Sequence, residues 1–334
     1  MSSIERLREW LLADTLPVWL EKGYDRANRS FHERLNFDFS PVTEGGKRVL
    51  VQARQIYTYS SSASSIAGAL DAAQSAFEFT VAKYRHPAGG WRHRVTREGA
   101  PLDDSRDLYD QAFVVFACAV LYRATGREDV LAAALETLRY LEAERSHPAG
   151  GFTENVPGDG SAFEGPRRQN PHMHLFEAML ALHEATGDDS HLETATHLYE
   201  LTRSKFIVDN TLREYFTDAL DPVPGAAGEI VEPGHHMEWV WLLHRYAVAA
   251  DAPAAAALAG TLYEFALAHG YDAVSGGLHD EVTARGDVYR DDRRLWPQTE
   301  ALKAHVARLQ DAGDDAARSR LEAGIESLFR YHLM

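Results

Sequence analysis

The sequence predicts an all-α protein, an (α/α)6 toroid of repeated helix pairs joined by short β-hairpin loops. Three observations carry this: a period of about 61 residues, apolar residues at helical spacing inside each period, and few stretches that alternate as strands do. HPAGGWRHRV at 86–95 returns as HPAGGFTENV at 147–156, and a related turn, AVSGGLHDEV, follows at 273–282. Ala124-Thr125-Gly126 and Ala185-Thr186-Gly187 close successive helices, His174 and Glu177 recur as His235 and Glu238, and Trp296 with Glu300 opens the matching later segment.

Taken in order, the helices are expected at 4–23, 50–70, 71–84, 108–125, 128–144, 172–186, 190–207, 234–250, 253–270, 296–311 and 314–333. The first is amphipathic, with Glu5, Glu9, Asp14 and Glu21 among its apolar positions. Helices that are apolar all round, such as the one containing AFVVFACAVL, alternate with helices carrying one apolar stripe, which predicts inner and outer layers. Glycines at the turns supply positive φ, and the HRV, TEN and HDEV pieces are expected to pair as small hairpins. Residues 1–334 read as one catalytic domain. Six pairs need twelve helices and eleven are found, so the sequence reads as C-terminally incomplete, its eleventh helix lacking an inner partner and His332 lying at the end of an outer-type helix.

Composition narrows the function. Lys plus Arg number 34 against 50 Asp plus Glu, a net charge of −16, which disfavours nucleic acid and anionic membrane surfaces as partners. Cys118 is the sole cysteine, lies in an apolar run and reads as a buried structural thiol, so a reducing cytoplasmic setting is expected. No stretch reaches the roughly 20 apolar residues of a membrane span, and the charged start does not resemble a signal peptide. Monomer and homodimer both remain open.

The starts of the inner-type helices carry unusual polar residues: Arg54; Tyr109 and Asp110; Asn170, His172, His174 and Glu177; His235, His236 and Glu238; Trp296 and Glu300. Such groups cost several kcal/mol when buried without partners, so they are candidates for a site. A His and a Glu three apart share a helix face, so Glu177 can orient His174 and Glu238 can orient His235, leaving one imidazole nitrogen of each for proton transfer. Satisfied core histidines are the plainer reading of either pair alone. His and Glu at that spacing can also ligate iron or zinc, although no cysteine or third ligand completes a metal template. Acid–base chemistry with no metal or other cofactor is preferred. A glycoside hydrolase using Asp110 with Glu238 or Glu300 is a second enzymatic reading, and a non-catalytic sugar-binding protein a third. Motifs for serine hydrolysis, nucleotide phosphates or nicotinamide are absent.

At these residues the chain resembles the N-acylglucosamine 2-epimerase superfamily, from about Trp10 to about Gln310. The resemblance is carried by Arg54-Gln55-Ile56-Tyr57, Tyr109-Asp110-Gln111-Ala112-Phe113, Asn170 with His174-x-x-Glu177, Pro233-Gly234-His235-x-x-Glu238 and Trp296-Pro297-Gln298-x-Glu300. It implies an (α/α)6 barrel and metal-independent interconversion of aldoses with ketoses or 2-epimers. It further implies His235 as acid/base with Glu238 behind it, His174 as a second proton-handling histidine and Arg54 as the cation on the enediolate oxygens. Tyr109 and Trp296 would then face the sugar and Asn170 would meet a hydroxyl, with Glu300 among the binding residues. The strings are most similar to the D-mannose isomerase branch, implying a free monosaccharide, D-mannose to D-fructose. A 2-epimerase of N-acylglucosamine or cellobiose type and a sulfoquinovose isomerase are the alternatives. A charged sugar would call on Arg167, Arg168, Arg290 and Arg293. The third family histidine, near the closing helix, has no match here.

Overall fold

A computed structural model describes residues 2–272, 274–312 and 315–333. Helices α1 (Ser3–Glu9) and α2 (Leu16–Val18) alternate with π-turns in one helical stretch, 3–23. There follow α3 (Val49–Ser61), α4 (Ala69–Tyr84), α5 (Leu108–Thr125), α6 (Glu128–Glu144), α7 (Gln169–Thr186), α8 (Asp189–Leu201), α9 (Pro233–Ala249), α10 (Pro253–Phe265), α11 (Leu295–Ala312) and α12 (Asp315–Tyr331). Eleven helical stretches are thus present among the described residues, in the expected order. Two boundaries differ most from expectation: α7 starts three residues early, at Gln169, and the helix expected over 50–70 stops at Ser61, with α4 starting at Ala69. The serines between them explain the break, since their hydroxyls compete for backbone groups, as Ser62 does by donating to the Thr58 carbonyl (2.9 Å).

The chain forms two compact units, one of residues 8–165 and 174–194, the other of 1–7, 166–173 and 195–334. In the first, α3 packs against both α4 and α5, and α5 against α6. In the second, α9 packs against α10 and α11, and α11 against α12. Burial follows the sequence pattern. Thirteen of the eighteen residues of α5 are buried, Cys118 among them, whereas α6 buries six of seventeen, one stripe. Helix ends are specified locally: the Asp107 carboxylate caps α5 by accepting from Tyr109 N–H (2.8 Å), and Gly126 at φ 64° turns the chain out of it.

The strands act as stitches. A two-residue strand just before an inner-type helix pairs antiparallel with one in the loop after the next outer-type helix. The pairs are Lys47–Arg48 with Arg94–Val95, Arg106–Asp107 with Asn155–Val156, Arg167–Arg168 with Tyr215–Phe216, and Ile230–Val231 with Glu281–Thr283. Of the expected hairpins, those at 94–103 and 281–290 form. Asn155–Val156 pairs instead with the earlier strand 106–107, because the Gly- and Pro-containing loop after it supplies no returning strand.

A buried side chain near the start of α3, α5, α9 and α11 latches a neighbouring loop. Trp91 N–H donates to Gln111 Oε1 (2.8 Å) and Gln111 Nε2 donates to the Trp91 carbonyl (2.9 Å). Gln52 makes both bonds with Phe31, and Gln298 with Leu278. At the corresponding place in α9, His236 Nε2 accepts from Leu212 N–H (3.3 Å), and burial pushes its pKa down to about 4, as an acceptor nitrogen requires. Gln111→Ala strands two backbone groups of a buried tryptophan. It is expected to destabilise the fold by about 1–3 kcal/mol, measured by urea unfolding.

Candidate active site

His235 is the third residue of α9, where Pro233 opens the helix with φ already set. Its Nδ1–H donates to Glu214 Oε2 (2.9 Å), and Asn170 Nδ2 lies 3.1 Å from its Nε2. The Trp296 ring packs on the imidazole, centroids 4.8 Å apart. Glu214 is itself fixed: Gln169 Nε2 donates to it (3.0 Å), and the buried Trp239 Nε1 donates to Gln169 Oε1 (2.9 Å). A tryptophan, an amide and a carboxylate therefore set the imidazole's tautomer and plane. Asn170 suits either charge state, because its Oδ1 has no partner: the amide donates to neutral Nε2, and a flip lets it accept from the imidazolium.

Burial opposes charge on His235, but the carboxylates of Glu214, Glu232 and Glu238 outweigh it and raise its pKa to about 9. Glu214, although buried, is held below the ordinary carboxylate range by His235. The expectation that Glu238 orients His235 is corrected here. Glu214 takes Nδ1, and Glu238 contributes through its charge. The assumed equivalence of His174 and His235 is corrected too. His174 is the sixth residue of α7, three residues and so a little under one turn past the place that His235 holds in α9, so the shared offset matched similar chemistry rather than equivalent places.

The other expected pair does form. His174 Nδ1 meets Glu177 Oε2 at 3.1 Å, both groups being buried. Around that imidazole Tyr109 packs edge-on at 4.9 Å and Phe113 at 4.4 Å, and the exposed Arg54 guanidinium lies over Phe113 at 4.7 Å. Asp110 is buried and accepts from His93 Nδ1–H (2.7 Å). Glu300 pairs with Lys303, one turn on.

The sequence reading did not contain Glu214. It occupies the place held by His93 and Glu154 in earlier loops and by Asp280 in the next, each two residues past a large apolar residue (Trp91, Phe152, Leu212 or Leu278) and directly before a strand; of these anchors, Trp91, Leu212 and Leu278 are buried and make the latch bonds described above. That recurring pattern was the available signal.

Glu214, Glu232 and His235 bring three ligand-type atoms within 4.8 Å of one another. Their valences are taken up, however: Glu214 and His235 bond each other, Asn170 faces the other ring nitrogen, and Arg294 pairs with Glu232 (3.3 Å). A guanidinium at that position repels a cation, so the donor set fits proton transfer better than metal binding.

Helix pairs whose inner-type helices present carboxylate-held imidazoles are equipped for proton transfer, and the family and relatives of the chain make the class that of the sugar isomerases and epimerases with an (α/α)6 fold. The fold is similar to that of a solved D-mannose isomerase structure, with a TM-score of 0.88 at 20% identity over 97% of this chain and 86% of that one. The profile of N-acylglucosamine 2-epimerase (GlcNAc 2-epimerase) matches residues 30–334, and the chain belongs to that family. A mannose-6-phosphate isomerase of Rhizobium meliloti is 35% identical over 90% of this chain and 78% of its own length. A cellobiose 2-epimerase of Ruminococcus albus is 25% identical over 98% and 87%. Among the described residues no helix is long and apolar enough to cross a membrane.

Proposed function

We propose that the chain converts a free aldose to its ketose, D-mannose to D-fructose, with His235 moving the proton between carbon 2 and carbon 1 through an enediolate. The observation that carries this is the buried Glu214–His235 pair capped by Trp296: an imidazole of fixed orientation and raised basicity beside an aromatic face suited to sugar C–H groups. In this reading Asn170 follows the charge on His235, His174 with Glu177 handles the hydroxyl or ring-opening proton, and Arg54 stabilises the enediolate oxygens. Tyr109 and Glu300 contact the sugar.

The Rhizobium relative's name suggests a phosphorylated sugar instead. Against that, the cations a phosphate would need are engaged elsewhere: Arg290 with Glu281, Arg293 with Asp272 and Asp291, and buried Arg167 with the Asp218 carbonyl. Asp110, committed to His93, is likewise a poor glycosidase acid.

Incubation with D-mannose and, separately, D-mannose 6-phosphate in deuterated buffer, followed by NMR, tests this. D-fructose carrying solvent deuterium at carbon 1 is expected from the free sugar. D-glucose as the product, or turnover of the phosphate alone, would replace this reading with epimerisation or with the phosphorylated substrate.

A further inference from the structure

Resting on His235 as the proton-transfer group, we propose that Glu232, anchored by Arg294, is a positioning residue that sets the protonation state of His235. Glu232 is the residue directly before α9, and its Oε2 lies 3.9 Å from His235 Nδ1, on the side already bonded to Glu214. It is kept there from outside the helix. Arg294 Nη2 reaches Glu232 (3.3 Å), while buried Asp280 fixes Arg294 by accepting from its Nε (2.6 Å) and its backbone N–H (2.8 Å). Arg294 also lies over Trp296, the ring packed on His235, so one cation ties together the carboxylate and the aromatic face.

The imidazole thus faces two carboxylates on one edge with different duties. Glu214 makes the hydrogen bond, and Glu232 stands off as a charge. The groups facing Glu232 are His235 on its own helix, Glu214 and Tyr215 beside it, Glu281 on the 281–283 strand and Arg294 ahead of α11. Burial and the neighbouring acids Glu214 and Glu281 outweigh His235 and Arg294, and Glu232 is raised to about 7. It therefore changes charge near neutrality, where Glu214 does not. Ionised Glu232 favours imidazolium, and neutral Glu232 releases the free base at lower pH.

The test is Glu232→Gln, which keeps size and removes charge, with Glu232→Asp as the conservative variant. Two readouts are needed: the pH dependence of kcat/KM on D-mannose, and the His235 ring titration followed by NMR in 13C-histidine-labelled protein, assigned with His235→Asn. In Glu232→Gln both the acid limb and the His235 titration should move down by about one pH unit, and Glu232→Asp should restore much of the shift. A uniform loss of activity with both midpoints unmoved would reduce Glu232 to a structural role and overturn the proposal. A moved NMR titration together with full activity of His235→Asn would uphold the coupling while refuting His235 as the base.

Discussion

His235→Asn is expected to lower kcat/KM for aldose isomerisation by about 10² to 10⁴, the usual cost of deleting a positioned proton-transfer group. Asparagine retains an N–H for Glu214 but not the positive charge, so circular dichroism should stay that of the folded parent while the melting temperature falls. Turnover within a few-fold of the parent would place the base on another residue. With His235 raised to about 9, roughly 1% of the imidazole is free base at pH 7, so the parent activity should climb from neutral into alkaline pH.

Glu214→Ala is expected to be the most destabilising single change near the site. It strands three donors: His235 Nδ1–H, Gln169 Nε2–H and the Glu232 backbone N–H (3.3 Å). Removing one partner of a buried charged pair costs about 3–5 kcal/mol. The loss should depend on pH in a defined sense. His235 has a folded pKa raised above 6.5, so its contribution is complete below that value and fades as pH rises through about 9. Glu214 has a lowered folded pKa, so its contribution is present above 4.5 and fades on acidification. Urea unfolding should therefore show the largest gap between parent and variant near pH 6 and a smaller one near pH 9. A gap independent of pH would mean that the pair is not ionised in the folded protein.

The architecture was legible because the period is written in residues with backbone consequences, Gly-Gly turns and Ala-Thr-Gly helix ends. It was obscured in one unit. There Asp209 and Asn210 take the left-handed conformation, at φ 50° and 62°, without glycine, so no Gly-Gly marked the loop that carries Glu214. The His174–Glu177 pair was readable because both members lie on one helix. The partner of His235 was not, since a contact between residues 21 apart depends on how a loop returns to a helix rather than on helical spacing.

The latches of Gln52, Gln111, His236 and Gln298 separate framework from chemistry. They grip main-chain atoms of the anchor residue in each loop, so the loop's path does not depend on which side chain follows two positions later. That position is accordingly free to vary: glutamates at 33 and 214, histidine at 93 and aspartate at 280 occupy it in the four latched loops of this one chain. A frame built this way can exchange an acid for a base, or a proton carrier for a charge clamp, by a single substitution. One lineage of helix pairs can in this way diversify over many sugars without redesigning its backbone.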